Sequence, residues 1–142
     1  MASRRNENRF RRHLYWVAIV LPDDPWRQPA ERARQALGDA RLVTTDEVLS
    51  EFLTALSSGG PQVRTRAVNT VRRILANADI TVITQSHDSF LKALDRYSSR
   101  TDKQYSLTDC SSMNAMAAVG ITEALTNDHH FEQEGFTVLI RP

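Results

Sequence analysis

Apolar positions along this chain change period several times, and each change marks an element. Residues 14–21, LYWVAIVL, are a continuous apolar run, a length at which a buried strand and a buried helix look alike. Tyr15, Trp16 and the β-branched residues of the run allow a strand. Asp24 followed by Pro25 suits the opening of a helix, with its regular part beginning near Pro29 and running to Leu37 before Gly38. Ala30, Ala33, Ala36 and Leu37 give that helix a narrow apolar stripe. Leu42 and Val43 then read as a short strand. Thr44-Thr45-Asp46-Glu47 matches a capping box in which Thr44 caps and Glu47 reaches back. The helix it opens carries Val48, Leu49, Phe52 and Leu56 on one face, and Glu51 falls at the rim of that arc.

Residues 57–61, SSGGP, break the pattern. Val63, Ala67, Val71, Ile74 and Leu75 mark the next amphipathic helix, whose Arg64, Arg66, Arg72 and Arg73 read as a solvated face, with a path for a nucleic-acid backbone as the functional alternative. Residues 80–83 read as a strand, and Phe90, Leu91, Leu94 and Tyr97 define a helix with His87 near its start. An extended segment then ends at Tyr105 and Leu107, and Thr108 or Asp109 caps a helix through Cys110, Met113, Ala117 and Val119 to a stop at Gly120. Residues 121–126 form a short buried strand, Asn127 and Asp128 turn the chain, and residues 137–140 form the last strand. Short apolar strands separated by amphipathic helices predict an α/β fold, a three-layer α/β/α sandwich around a mostly parallel central sheet.

With 142 residues and 41% hydrophobic content, the chain has enough material for a single core. We divide it into a basic N-terminal segment, residues 1–13, and one domain over residues 14–142. Arg4, Arg5, Arg9, Arg11 and Arg12 crowd the segment against one acid, Glu7. It reads as a solvated tail or a degenerate first strand, with an RNA-contacting arm as the functional alternative. The single cysteine, Cys110, excludes an internal disulfide and fits a reducing compartment. The 14–21 run is far too short to span a bilayer, so a cytoplasmic protein away from membranes is expected. No glycine-rich phosphate loop is present, which disfavours nucleotide-binding enzymes.

Candidate chemistry concentrates in residues 101–131. Asp109 lies at a strand-to-helix junction and Asp128 just past the next strand, so both carboxylates belong at one end of a parallel sheet, where α/β proteins bind ligands. Singly, Asp109 is more often a helix cap, Asp128 a turn residue and Glu51 a surface glutamate. Adjacent His129 and His130 beside Asp128 look metal-binding by composition, although local capping or hydration is the commoner role. Ser106, His130 and Asp109 make a hydrolase triad only on paper, without a nucleophile elbow. Cys110 is more often buried on its helix than reactive.

SLTDCSSM, followed by ALTNDHHFEQEGFTVL, resembles the C-terminal half of a PIN domain, the nuclease fold of VapC-type toxins. The resemblance extends back through TTDEVLSEFLTAL to Tyr15. It implies that residues 14–21 are the first helix after a short strand, and that Glu51, Asp109 and Asp128 are catalytic, metal-binding acids. It further implies Mg²⁺ or Mn²⁺ as cofactor, hydrolysis of RNA as the reaction, an antitoxin protein as partner, and a homodimer. Oxygen donors without cysteine suit such hard cations. The fourth family acid, an aspartate ending the first strand, falls on Arg12. An arginine repels what the aspartate attracts, at about 4 kcal/mol per unit-charge pair near 4 Å and an effective dielectric near 20. Arg12 therefore either pairs with the other acids in a silent relative that binds RNA or protein, or swings aside from a weakened site, or reflects a shifted reading frame upstream of Leu14.

Overall fold

The computed structural model describes residues 14–142, the side chain of Leu14 excepted. Residues 1–13, and with them Arg12 and the implied first strand, lie outside the described residues. In chain order the described elements are α1 (Leu14–Val20), α2 (Arg27–Ala36), β1 (Leu42–Thr45), α3 (Asp46–Ala55), α4 (Pro61–Ala76), β2 (Ile80–Ile83), α5 (His87–Ser99), α6 (Leu107–Val119), β3 (Glu123–Ala124), α7 (His129–Gln133) and β4 (Thr137–Val138).

The ambiguous first run is a helix because its apolar groups serve two separate cores. Tyr15 and Ala18, three apart, pack with Ala30 and Ala33 of α2, while Val17 packs with Phe52, Leu56 and Ala67 of the α3–α4 region. A strand alternates its faces residue by residue and would send Tyr15 and Val17 the same way. Trp16 and Trp26, weighed as partner-surface residues, are half-buried at the edge of the first of these cores. Helix α2 starts at Arg27, two residues before Pro29, because a proline in the first turn removes an N–H that has no intrahelical acceptor.

Among the described residues all strand pairing is parallel. β1 pairs with β2 from Leu42↔Ile80 to Thr45↔Ile83, and β3 pairs with β4 through Glu123↔Thr137 and Ala124↔Val138. The second ladder extends beyond its regular core: the amides of Thr137, Leu139 and Ile140 donate to the carbonyls of Thr122, Ala124 and Thr126 at 2.8, 3.0 and 3.1 Å. Among the described residues the pairs form separate two-stranded sheets. A cavity of about 380 Å³ lies between them, lined by residues 42–45 on one side and 121–126 on the other.

Side-chain alternation along the strands builds the three layers. Ala124 and Val138 point to a core made by Ala93 of α5, Cys110 and Met113 of α6, and Phe131 of α7. Leu125 and Leu139, one residue on, point to the opposite core beneath α1 and α2. The fold is thus α/β, with helices on both faces of parallel strands.

Three local expectations are corrected. Strand β1 stays paired through Thr45, so Thr45 and not Thr44 caps α3; its Oγ1 accepts from the Val48 amide at 3.2 Å. Glu47 does not close a capping box, and its Oε2 instead accepts from Ser111 Oγ at 3.2 Å, tying α3 to α6. The Phe90, Leu91, Leu94 and Tyr97 stripe of α5 faces outward, about half exposed, because α5 meets α6 through Ala93 and through Arg96, whose Nε donates to Asn114 Oδ1 at 2.7 Å.

Candidate metal centre

Asp109 owes its position to a reciprocal cap. Ser106 is the N-cap of α6: its Oγ accepts from the Asp109 amide at 2.9 Å, and Asp109 Oδ2 accepts from the Ser106 amide at 3.0 Å. The sequence places the cap at Thr108 or Asp109; it lies at Ser106, because the segment stays extended until that hydroxyl can satisfy the third amide of the helix. Asp109 becomes the third helical residue, 2% exposed, with its carboxylate at the end of the helix that faces the sheet edge. The Ser106 hydroxyl is committed to this cap, which removes it from any hydrolase triad. Cys110 follows in the core, where burial, and then the nearby Asp109 charge, push its thiol pKa up.

Asp128 is fixed in the same manner. It caps α7, with Oδ1 accepting from the His130 amide at 3.0 Å, while its own amide donates to Thr126 Oγ1 at 3.2 Å. The turn that follows β3 therefore aims a 7% exposed carboxylate toward α6.

Between the carboxylates stands His130. Its Nδ1 lies 3.3 Å from Asp128 Oδ1 and 3.5 Å from Asp109 Oδ2, and the ring meets Tyr105 edge-on at a centroid distance of 5.3 Å. One ligand atom from each of Asp109, Asp128 and His130 falls within 4.8 Å of the others. His129 points outward instead, exposed and 3.3 Å from Glu132 Oε2. The two histidines do diverge, as adjacent residues should, but the inner one joins the donor set that composition suggested, where the sequence reading favoured local capping or hydration for both. The available signal was that Asp128 is a cap and not a helical residue, so the rule separating i and i+2 side chains does not hold across it.

Glu51 lies outside this donor set. It sits one turn beyond Glu47 on α3, half-buried, with Oε2 enclosed, on a helix that packs against α6. The structure thus brings two of the three acids of the sequence reading together and leaves the third on the facing helix.

A second polar cluster braces the site from behind. Arg100 Nε and Nη2 donate to Glu134 at 2.8 and 3.4 Å, and Arg96 Nη1 donates at 3.4 Å, which joins α5 to the end of α7. The Arg100 hydrogen bond holds the Glu134 carboxyl below its usual range. Burial, and then the Glu134 carboxylate, push the Tyr105 phenol up to about 12, so it is neutral where it packs on His130.

Two buried carboxylates and one imidazole within such a span fit a divalent cation that accepts oxygen and nitrogen donors, Mn²⁺ as readily as Mg²⁺.

A family model for the PIN domain matches residues 15–136. The crystal structure of VapC20 from Mycobacterium tuberculosis, a toxin that cleaves the sarcin–ricin loop, superposes with a TM-score of 0.77 at 25% sequence identity, covering 90% of this chain and 95% of that one. No curated protein sequence matches the chain.

Proposed function

The chain belongs to the PIN domain family, and on that premise we propose that it is a metal-dependent endoribonuclease, the toxin of a toxin–antitoxin pair. The observation that carries the reading is the meeting of Asp109 and Asp128, remote in sequence and both buried, with His130 between them. In this reading Asp109 and Asp128 hold Mg²⁺ or Mn²⁺, and Glu51 adds a third carboxylate from the facing helix α3. A divalent cation there supplies positive charge to the phosphodiester and makes a water more acidic. The protein contributes geometry. Capping bonds fix both aspartates at helix starts, and His130 Nδ1 stands 3.3 Å from Asp128 Oδ1 and 3.5 Å from Asp109 Oδ2. Preorganised charge of this type is the main resource for phosphoryl chemistry.

RNA is the substrate class, an antitoxin protein and a second copy of the chain are the partners, and the cytoplasm is the compartment. No described helix is long and apolar enough to cross a membrane. The test incubates the purified chain with a sarcin–ricin stem–loop, the first probe to use because VapC20 cleaves that loop. Internal cleavage in millimolar Mn²⁺, abolished by EDTA and by Asp128→Asn, is the expected result; cleavage that persists in Asp128→Asn refutes the reading. A second reading takes up the sequence resemblance, which puts the family's first acid on Arg12: a PIN relative that binds RNA or protein without cutting. Under that reading RNA is bound but stays intact at every Mn²⁺ concentration.

A further inference from the structure

Helix α4 carries charge that the fold does not use. Over Pro61–Ala76 it has four arginines and no acid. A solvated helix face gains from acids set three or four residues from its bases. Two other helices have such pairs: Arg27 with Glu31 at 3.1 Å on α2, and Lys92 with Asp88 at 2.9 Å on α5. On α4, Arg66, Arg72 and Arg73 are exposed, and among the described residues no carboxylate pairs with any of them. Arg64 donates to the Ser57 carbonyl at 2.9 Å, a neutral acceptor that leaves its charge uncompensated.

The placement of these side chains is more specific than their number. At about 100° per residue Gln62, Arg66, Asn69 and Arg73 fall on one line, all exposed and turned away from the buried Ala67 and Ile74. The line is about 16 Å long at the helical rise and alternates carboxamide with guanidinium. A guanidinium meets a phosphate with two parallel N–H donors. A carboxamide both donates and accepts, as a ribose 2′-hydroxyl does. RNA repeats phosphate and 2′-hydroxyl along its backbone, whereas an acidic peptide would answer the guanidiniums alone.

The line also lies one helix away from the metal centre. At its start α3 meets α6, where Glu47 accepts from Ser111, and further along its Phe52 and Leu56 share a core with Ala67 of α4. An RNA cut at Asp109 and Asp128 and continuing across α3 therefore meets the outer face of α4 next.

We propose that the line of Gln62, Arg66, Asn69 and Arg73 is a second contact surface for RNA, holding the backbone to one side of the cut. The inference rests on the RNA reading above and adds where the substrate lies outside the centre.

Fluorescence anisotropy of a labelled sarcin–ricin stem–loop tests this on the full chain, in EDTA so that no cleavage intervenes. Arg66→Gln/Arg73→Gln should bind at least about tenfold more weakly in about 0.1 M salt, and the slope of log affinity against log salt should lose about 1.4 to 1.8, the share of two phosphate contacts. Arg66→Lys/Arg73→Lys keeps both charges and should retain the slope. Arg32→Gln/Lys92→Gln removes the same charge from α2 and α5 and should bind as the unsubstituted chain does. Unchanged affinity and slope in Arg66→Gln/Arg73→Gln overturn the proposal and leave an acidic protein segment as the partner of that face. Equal losses in the α2 and α5 control overturn it too, since net charge alone then accounts for them. No RNA binding by any of the chains refutes RNA as the ligand, and the proposal with it. RNA held through α4 but left intact when Mn²⁺ replaces EDTA is a distinct result: the surface stands and the nuclease reading falls.

Discussion

Asp109→Asn separates the two duties of this side chain. The amide oxygen can still accept from the Ser106 amide, which the carboxylate does at 3.0 Å, so the cap of α6 survives. What disappears is one negative charge, at a position 2% exposed and 3.5 Å from His130 Nδ1. A unit charge about 4 Å from another at an effective dielectric near 20 is worth about 4 kcal/mol, and a dication doubles it. Solvent relaxation and the retained amide dipole return much of that. If only a third remains, about 2.7 kcal/mol, affinity falls about 100-fold. Calorimetric Mn²⁺ titration of the full chain measures this. Asp109→Asn should then bind at least about 100-fold more weakly while its melting temperature stays within a few degrees. Asp109→Ala should lose the cation equally and also lose about 1 kcal/mol of stability with the capping bond. Asp109→Asn with Mn²⁺ affinity changed by less than about threefold would refute the placement of this carboxylate at the metal.

Other consequences are open to simpler assays. Glu134→Gln weakens the contacts to Arg96 and Arg100; with Arg100 over a third exposed, solvent screens the pair, and the melting temperature near neutral pH should fall only slightly. Because the folded carboxyl is held below its ordinary value of 4.5, chiefly by Arg100, that stability is present above 4.5 and lost as pH falls through the lower folded value. The gap between the two proteins should therefore close in acid, and a gap that stays constant would contradict the assignment. Cys110, fully buried, should resist a thiol reagent such as Ellman's until denaturant opens the core; rapid labelling of the native chain would contradict its burial. Gly120→Ala meets no atom within 4 Å, so its cost is only that of a side chain at φ 73°, about 1 kcal/mol, visible as a lowered melting temperature.

Strand and helix order was legible wherever apolar period and punctuation agreed. β2 at Ile80–Ile83 and the stop of α6 at Gly120 are examples. Misreadings came where tertiary contacts overrode a local signal. Thr44 has all the chemistry of a cap, but pairing with Val82 in β2 keeps it in the strand, and the role moves to Thr45. The stripe on α5 has helical spacing, yet the buried contact is made by the small Ala93, flanked by the arginines that Glu134 holds. Periodicity cannot distinguish a stripe facing a core from one facing outward when a short side chain lets the helices approach closely. At the site, Asp109 and Asp128 were legible as residues at helix starts; the strand expected before Asp109 is absent, the chain running from α5 to α6 through a loop, and the inward aim of His130 depends on the cap at Asp128, which composition does not encode.

Capping and metal binding are often weighed as rivals for an aspartate, but in this fold one arrangement produces both. A helix that begins leaves its first amides without intrahelical acceptors, and a short acidic side chain can satisfy amides at that start. Asp128 does so with Oδ1, and Asp109 with Oδ2 from the third helical position. The capping oxygens themselves converge: Asp128 Oδ1 and Asp109 Oδ2 lie 3.3 and 3.5 Å from the same imidazole nitrogen, His130 Nδ1. The local structure that makes each aspartate look ordinary in the sequence is what holds the pair in register. Removing the cap partner tests this: Ser106→Pro, which the Ser106 φ of −79° admits, leaves every donor in place but removes the amide that donates to Asp109 Oδ2 and so frees the carboxylate to rotate. Mn²⁺ affinity should fall by about tenfold in that variant, although the substituted residue touches no cation. Unchanged affinity would mean that packing alone holds the carboxylate, and that the cap contributes nothing to the centre.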